Sequence, residues 1–214
     1  MPNVKVPLPV IRRLPRYYRY ISELKNSGTT RISSSQLAAI MGSTPSQVRQ
    51  DFNCFGGFGQ QGVGYSVQLL YEEIQKLLFA RQDLRAVLVG TGNLGISMAN
   101  FVMKENTGVQ LVGLFDNDSA VIGNHLFNME IKSMEEFSDF CRREHVDIII
   151  ICTPKEAAQE IAPMILRTGI KGIWNFSHYD FANLDDSLIV ENVHLRDNLM
   201  ALSYRITHSG SGEQ

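Results

Sequence analysis

Residues 85–95 read RAVLVGTGNLG, and they decide the fold of the C-terminal part of the chain. The first five residues form a short apolar strand, and the other six place glycines at 90, 92 and 95 in the spacing G-x-G-x-x-G. Residues 96–104 continue as a helix. Between a strand and a helix, such glycines permit a tight turn, the close approach of a pyrophosphate and tight helix packing. The stretch therefore predicts a Rossmann fold in which phosphates rest on the N-terminus of the helix.

An acidic residue follows the next strand at the distance that this fold requires. Residues 110–115 are predicted to form the strand, and Asp116 comes directly after it, 21 residues beyond Gly95. A carboxylate here accepts hydrogen bonds from the hydroxyls of an adenosine ribose and repels a 2′-phosphate. Because residues 115–119 contain no Arg or Lys, the sequence favours NADH and NAD⁺ over their phosphorylated forms. Two simpler roles stay open: Asp116 as a turn former, and Asp118 as the cap of the next turn.

Strands and helices keep alternating beyond this point. We expect a buried strand at 146–152, a helix at 155–167, a strand at 170–176 and the last strand at 188–190. This alternation predicts an α/β fold with a doubly wound parallel sheet and the dinucleotide at the carboxyl ends of its strands. The predicted cofactor-binding residues at these ends are Gly90, Thr91, Gly92, Asn93, Leu94, Gly95, Asp116, Thr153, Pro154 and Asn175.

The N-terminal part of the chain begins with a helix. Residues 9–26 place apolar side chains on one face and basic side chains on the other. Pro15 is expected to kink or restart this helix, because its ring blocks the preceding turn. Residues 26–28, which read NSG, are expected to end it.

Two short helices with explicit start signals follow. Residues 33–36 and 44–47 each form a predicted capping box, and the second has proline at the first helical position. Gly42 and Ser43 supply the short turn between the helices that a helix-turn-helix requires. In the second helix Val48 faces inward, so small and amide side chains face outward. Such side chains can bind base edges and phosphates. A three-helix bundle with a polar surface is the simpler alternative.

A glycine-rich segment comes directly after this helix. Residues 55–65 read FGGFGQQGVGY, with five glycines between positions 56 and 64, and predict a tight β-hairpin. A hairpin after a recognition helix is a wing, with Gln60 and Gln61 at its tip, able to reach a minor groove or phosphates. The predicted DNA-binding residues are Ser46, Gln47, Arg49, Gln50, Asn53, Gln60, Gln61, Arg12 and Arg19.

Charge is distributed unevenly along the chain. Residues 1–64 hold eight basic and two acidic side chains, whereas the remaining 150 residues hold 12 basic and 20 acidic ones. This asymmetry suggests a basic module for a polyanion joined to an acidic domain, although a short segment can also be basic by chance. Three cysteines without a CxxC pair make a disulfide framework or a metal site unexpected. We find no signal peptide or membrane-length apolar run, and expect a cytoplasmic protein.

Two amphipathic helices complete the organisation. Residues 67–81 are expected to connect the two modules, with Leu69, Leu70, Ile74, Leu77 and Leu78 on the apolar face. Residues 192–206 carry an apolar stripe that covers the sheet or crosses to a second subunit, and both readings stay open. The predicted domains are a winged helix with its connecting helix (1–81), a Rossmann domain (82–191), a terminal helix (192–207) and a disordered tail (208–214).

Eight motifs along the chain resemble a known family. They are RLPRYYR at 13–19, SSSQL at 33–37, RQDF at 49–52, CFG at 54–56, QGVGY at 61–65, TPKEAA at 153–158, GIWNF at 172–176 and VENV at 190–193. Together they resemble the redox-sensing transcriptional repressor family called Rex. The resemblance implies a homodimer that binds an inverted-repeat operator of double-stranded DNA and leaves it when NADH replaces NAD⁺. It also implies that the terminal helix is swapped into the partner near the nicotinamide, which adds His194 to the predicted cofactor-binding residues.

The chain departs from the family pattern at several of these positions. The family usually has R-K-D-L at 49–52 and R-G-V-G-Y at 61–65, so two positive charges are missing here, and each lost phosphate contact weakens DNA binding. His194-Leu195 stands where many members have Asp and an aromatic residue, and Phe101 where some have Tyr. Of the polar relay that some members form near the nicotinamide, only Arg19 is retained.

Two other functions compete with a redox-sensing repressor. A dehydrogenase would need a general acid or base beside the nicotinamide, for which His178, His194 and Lys155 are the candidates. The chain has no separate substrate domain to complete such a pocket, so we expect no enzyme. The second alternative is a DNA-binding protein whose Rossmann domain binds another ligand, discriminates weakly between NADH and NAD⁺, or serves only as a dimerisation scaffold.

Overall fold

The computed structural model describes residues 6–56, 63–80, 83–105, 107–181 and 184–208, together with the backbone of 59–60. The chain forms two compact units, residues 1–80 and 81–214, here called the N-terminal and C-terminal units. Within the described residues, no helix is both long and apolar enough to span a lipid bilayer.

The N-terminal unit is a winged helix-turn-helix, as predicted. Its elements are α1 (Leu8–Asn26), β1 (Arg31–Ile32), α2 (Ser34–Met41), α3 (Pro45–Asn53), β2 (Gly59–Gln60), β3 (Gly64–Ser66) and α4 (Val67–Leu78). The three strands form an antiparallel sheet in the order β1-β3-β2. Its core includes Tyr17 and Ile21 of α1, Leu37 of α2, Phe52 of α3 and Leu70 of α4, all fully buried.

Helix α1 is a single helix that runs through Pro15, so the predicted restart is wrong. Pro15 lies on the exposed face, and buried apolar side chains on the opposite face hold both halves against the core. The predicted stop is confirmed. Gly28 has φ +79°, and the N–H of Thr29 donates to the carbonyl of Leu24 at 3.0 Å, which is a Schellman motif.

Only the first of the two predicted capping boxes forms completely. Ser33 accepts from the N–H of Gln36, whose side chain accepts from the N–H of Ser33. Thr44 likewise caps α3 by accepting from the N–H of Gln47 at 3.2 Å. The Gln47 side chain, however, donates to Asp51, so the second capping box is wrong although its N-cap is correct.

The wing is confirmed as a hairpin, and it contains one strand more than expected. Tyr65 pairs with both Gly59 and Ile32, and Gln60 pairs with Gly64, which places Gln60 in strand β2 and not at the tip. Gly64 has φ +77°, and a Cβ there would lie 2.7 Å from the carbonyl oxygen of Ile32. Glycine at 64 therefore allows β1 to pair closely with β3. Gln61 lies outside the described residues.

The connecting helix α4 buries only part of the predicted apolar face, namely Leu70 and Ile74, and adds Val67 to it. Val67, Leu70 and Ile74 are buried, whereas Leu69 is 52% and Leu77 is 39% exposed. The buried residues are spaced by three and four, as expected for one face of a helix. The helix ends at Leu78, three residues before the predicted end.

The C-terminal unit is a Rossmann fold, as predicted. Its elements are β4 (Leu84–Val89), α5 (Asn93–Lys104), β5 (Val109–Asp116), β6 (His125–Leu126), β7 (Met129–Ser133), α6 (Phe137–Arg143), β8 (Ile148–Ile151), α7 (Lys155–Ile165), β9 (Gly172–Asn175), β10 (Ile189–Asn192) and α8 (Leu195–His208). The sheet order is β10-β9-β8-β4-β5-β7-β6, and every neighbouring pair is parallel apart from β6 and β7. Without the short β6, this is the strand order of dinucleotide-binding domains.

Three elements of this unit were not predicted, namely β6, β7 and α6. Strands β6 and β7 are joined by Phe127 and Asn128, whose φ values are +52° and +62°. Two successive positive φ values are typical of a type I′ hairpin turn, whose usual sequence signal is Asn-Gly or Asp-Gly. The Phe-Asn pair lacks that signal. The terminal helix α8 reaches His208, one residue into the predicted tail, whose residues 209–214 lie outside the described part.

Candidate functional site

A groove lies at the carboxyl ends of β4, β5 and β8. Its free volume, including space open to solvent, is about 610 Å³, and it is lined by residues that include Gly90, Thr91, Gly92, Asp116, Thr153 and Pro154. A second pocket of about 420 Å³, measured in the same way, shares Gly90, Asp116, Thr153 and Ala157, and adds the apolar side chains of Met134, Ile161 and Met164. The chain runs from β4 to β5 on one side and later returns to β8 on the other side of β4. This crevice is therefore the topological switch point where open α/β sheets bind ligands.

The three glycines of the motif have three different geometries. Gly90 has φ +92°, and a Cβ there would lie 2.8 Å from the Cγ2 of Thr153. A Cβ at Gly95 would lie 1.8 Å from the carbonyl oxygen of Gly90, so this glycine lets α5 pack on the turn. At Gly92 a Cβ would meet nothing within 4 Å. Gly92 is also the N-cap of α5, so the open space lies where the helix presents its unpaired N–H groups.

Asp116 is held at the floor of this groove by hydrogen bonds from the glycine turn. Its Oδ2 accepts from the N–H of Thr91 at 2.6 Å and from the Thr91 hydroxyl at 2.7 Å. Its Oδ1 accepts from the N–H groups of Asn117 at 2.8 Å and Asp118 at 3.1 Å. Partial burial alone would raise the pKa of Asp116, but these hydrogen bonds outweigh it and lower the pKa below its ordinary value. The groove therefore keeps a fixed negative charge at neutral pH.

Among the remaining predicted cofactor-binding residues, two lie beside the groove and one is buried. Asn93 and Leu94 begin α5 beside the groove. Asn175 is fully buried, donates to Asn192 at 2.7 Å and to the carbonyl of Tyr179 at 2.8 Å, and accepts from Ser177 twice. With its hydrogen-bonding groups engaged inside the protein, Asn175 ties the loop after β9 to the end of β10. These hydrogen bonds fix the Asn175 side chain within the protein, and its contact with the cofactor stays a prediction.

Two histidines meet at the end of the sheet where β9 and β10 finish. The rings of His178 and His194 are parallel within 8°, with centroids 6.1 Å apart. His194 is half-buried and His178 is exposed. The pairing was not predicted, because 15 residues separate the two side chains in the sequence, and they are brought together by the pairing of β9 with β10 and by the hydrogen bonds of Asn175.

The outer face of α3 carries the predicted DNA-binding side chains. Ser46, Arg49, Gln50 and Asn53 are exposed, and Arg49 donates to the hydroxyl of Ser34 at 3.2 Å. Gln47 is half-buried and turned toward the protein. Arg12 and Arg19 on α1 are also exposed, with the Arg19 guanidinium 5.1 Å from the centre of the Tyr20 ring. For Gln60 the structure describes the backbone alone.

A buried carboxylate links this helix to α1, and sequence reasoning missed it. Asp51 is 1% exposed, accepts two hydrogen bonds from Arg13 at 2.6 and 2.7 Å, one from Tyr17 at 2.9 Å and one from Gln47 at 2.8 Å. Burial would raise the pKa of Asp51, but the hydrogen bonds from Arg13, Tyr17 and Gln47 lower it below its ordinary value. Asp51 stands on the inner face of α3 beside Val48 and Phe52, and a charged residue on an inner helix face is itself the signal of such a partner.

Comparisons with known proteins agree with this division into two units. A family model described as "Putative DNA-binding protein N-terminus" matches residues 5–53. A second, described as "CoA binding domain", matches residues 81–179.

Relatives extend over nearly the whole chain. The chain is 50% identical over 201 residues to a protein of Caldicellulosiruptor saccharolyticus named redox-sensing transcriptional repressor Rex, covering 94% of this chain and 91% of that relative. A protein of the same name from Thermoanaerobacter pseudethanolicus is 46% identical over 204 residues, covering 95% and 91%. The chain belongs to the Rex family. This confirms the resemblance seen in its motifs. Because Rex proteins are transcriptional repressors, family membership also confirms the prediction that the chain is not an enzyme.

Solved Rex structures match the fold over the same length. The structure of RSP in complex with β-NAD⁺ and operator DNA has a TM-score of 0.87 at 44% identity, and covers 96% of this chain and 94% of that one. The structure of RSP with β-NADH has a TM-score of 0.86 at 42% identity, and covers 96% of both chains. RSP is described as a Rex-family repressor.

Proposed function

We propose that this chain represses transcription by binding operator DNA through its N-terminal unit, and that NADH bound in its C-terminal unit releases the DNA. The observation that carries this proposal is the pairing of two sites in one chain: a helix face of free polar side chains on α3, and a glycine turn with Asp116 at the switch point of a Rossmann sheet. The RSP structures with operator DNA, NAD⁺ and NADH support it. We further infer a cytoplasmic protein, with a DNA-binding unit of residues 1–80, a Rossmann domain that begins after it and a terminal helix that ends at His208.

The groove fits a dinucleotide. The open space at Gly92 leaves room for a pyrophosphate against the N-terminus of α5, where backbone N–H groups and the helix dipole favour anions. Asp116 would accept from the adenosine ribose. Coenzyme A, named in one matching family model, also carries an adenosine and a pyrophosphate. Its ribose bears a phosphate, however, and the fixed charge of Asp116 disfavours a phosphorylated ribose.

Calorimetry with NADH and NADPH tests the role of Asp116. Wild type is expected to bind NADH at least about tenfold more tightly, a difference of roughly 1.4 kcal/mol. Asp116→Asn removes the charge and should narrow this ratio, whereas Asp139→Asn, at an exposed carboxylate of α6 that does not line the groove, should leave it unchanged. Equal affinity of wild type for both nucleotides would rule out the selection that we assign to Asp116.

On the DNA side, we propose that exposed cations of α1 and α3 bind phosphates and that α3 enters the major groove. We assign Arg12, Arg19 and Arg49 to phosphates, and the polar stripe of α3 to base edges. An inverted-repeat operator then requires a twofold-symmetric homodimer. The helix α8 supports one, since it has no buried residue and exposes Leu199 by 67% and Ile206 by 68%. We propose that α8 buries this apolar surface in the partner subunit.

The redox response needs a contact that distinguishes the two nicotinamide states. NAD⁺ carries a positive charge on its nicotinamide ring, and NADH is neutral there. A ligand shifts a two-state dimer only by its differential affinity for the two states. We propose His194 for this role, because an imidazole near the ring would interact differently with a cationic and a neutral nicotinamide. Closure around NADH would then spoil the spacing of two recognition helices that must reach half-sites ~34–36 Å apart.

Titration of both nucleotides into a labelled operator complex tests this proposal. NADH is expected to release the DNA and NAD⁺ is not, and His194→Ala should narrow the gap between them. His125→Ala is the matched control, since His125 lies on β6 at the opposite edge of the sheet. Equal effects of the two nucleotides on wild type would leave a repressor that binds dinucleotides without sensing their redox state.

A further inference from the structure

The side-chain amides on α3 differ in whether they form hydrogen bonds within the protein. Gln47 donates to the buried carboxylate of Asp51 at 2.8 Å. Gln50 and Asn53 are exposed, and within the described part of the chain no hydrogen bond engages either side-chain amide. The same helix therefore presents one amide that is occupied by its own protein and two that are available to a partner.

The Asp51 network determines which amide is available. Asp51 also accepts from Arg13 and Tyr17, so its position is fixed by α1 and cannot follow a moving Gln47. To reach a base, Gln47 would have to leave a buried, charge-assisted hydrogen bond unmade, which costs more than a neutral surface contact returns. Gln50 makes no such bond, and it lies in the middle of the exposed stripe that also includes Ser46 and Asn53.

We propose that Gln50 sets the base preference of α3 and that it reads an adenine. This rests on the proposed DNA binding and specifies the base that the helix selects. A carboxamide presents one acceptor and one donor side by side, which match the N6 amine and the N7 of adenine in the major groove. Guanine offers two acceptors at the corresponding positions and suits the two parallel donors of an arginine. Gln47, although an amide on the same helix, positions α3 and reads no base.

The test is selection from a palindromic duplex library with randomised half-sites, using the full-length protein. Wild type is expected to enrich adenine at one half-site position. Gln50→Ala should lower the preference for adenine at that position roughly tenfold and leave the other positions as they are. Gln50→Arg should replace adenine with guanine at the same position.

Two further variants separate reading from positioning and from charge. Gln47→Ala is expected to keep every base preference even if it lowers affinity, and Arg49→Ala should weaken all sequences alike. Because Gln50 and Arg49 are exposed, circular dichroism should show unchanged melting for their variants. If Gln50→Ala kept the wild-type preference at every position, or if Gln47→Ala removed the adenine, the inference would be wrong while DNA binding stood. If wild type enriched no sequence, both the inference and the proposed function would fail.

Discussion

Gly92→Val should lower the affinity for NADH by at least about a hundredfold, or 2–3 kcal/mol, while the chain remains folded. Gly92 has φ −66° and ψ −175°, a conformation open to any residue, and a Cβ there meets nothing within 4 Å. A valine therefore costs the fold little. Its methyl groups would occupy the space between a pyrophosphate and the N-terminus of α5. Calorimetry measures the affinity, and an operator complex of this variant should not respond to NADH.

The neighbouring glycine supplies the contrast for this experiment. In Gly95→Ala the new Cβ would lie 1.8 Å from the carbonyl oxygen of Gly90, so α5 must move away from the turn. We expect a lower melting temperature as well as weaker binding, because buried clashes destabilise the fold itself. Undiminished NADH affinity in Gly92→Val would mean that the pyrophosphate does not lie at the start of α5.

Most of the features that could be predicted from the sequence are local. The strand before Gly90 and the glycine spacing depend on residues a few positions apart along the chain, and Asp116 was found by its distance from them, although its hydrogen bonds from Thr91 span 25 positions. The capping residues Ser33 and Thr44 are local in the same way. Such signals survive in a single sequence because the backbone conformation that they require is set by the residues themselves.

Among the features that were missed, those in the two candidate sites depend on distant partners. The ion pair between Arg13 and Asp51 joins residues 38 positions apart, and the apolar periodicity of α1 and α3 does not indicate it. Asn175 was expected to touch the cofactor, and its hydrogen bonds within the protein, including the one to Asn192, were not predicted. A polar residue at a strand end looks the same in a sequence whether it faces a ligand or another loop. Only the tertiary structure separates the two.

Apolar residues posed a related difficulty. Leu69 and Leu77 belong to an apolar stripe in the sequence of α4, but the helix buries only part of that stripe and leaves them exposed. The helix α8 is exposed along its whole length. An amphipathic pattern indicates that one face of a helix will be buried, but it does not indicate whether the same subunit or a partner subunit buries it.

Asp51→Ala is expected to destabilise the N-terminal unit by about 2–3 kcal/mol, since it removes hydrogen bonds to a buried charged group, whereas the Arg13 side chain, 34% exposed, stays partly hydrated. The carboxylate is almost fully buried, and its loss would leave Arg13, Tyr17 and Gln47 without their common acceptor. Because α3 is bound to α1 through this group, operator affinity should fall together with stability. Asp139→Ala is the matched control: it breaks an exposed ion pair with Arg142, which should cost less than about 1 kcal/mol.

The two units can be followed separately in one melting experiment. Trp174 is the chain's one tryptophan and lies in β9, so its fluorescence follows the C-terminal unit. In Asp51→Ala, loss of helical circular dichroism should precede the change in Trp174 fluorescence. Simultaneous melting at the wild-type temperature would show that the Asp51 network does not stabilise the N-terminal unit.

The pH dependence of the same variant gives a second, independent check. The pKa of Asp51 in the folded chain is lowered from its ordinary value of 3.8, since the hydrogen bonds from Arg13, Tyr17 and Gln47 outweigh the effect of burial. A carboxyl group with a lowered pKa stabilises the fold fully above its ordinary pKa, and this contribution is lost as the pH falls through the lowered value. The stability gap between wild type and Asp51→Ala should therefore be constant above about pH 5 and shrink in stronger acid. Urea denaturation followed by circular dichroism at a series of pH values measures this gap. A gap that widened as the pH fell would contradict the charged state that we assign to Asp51.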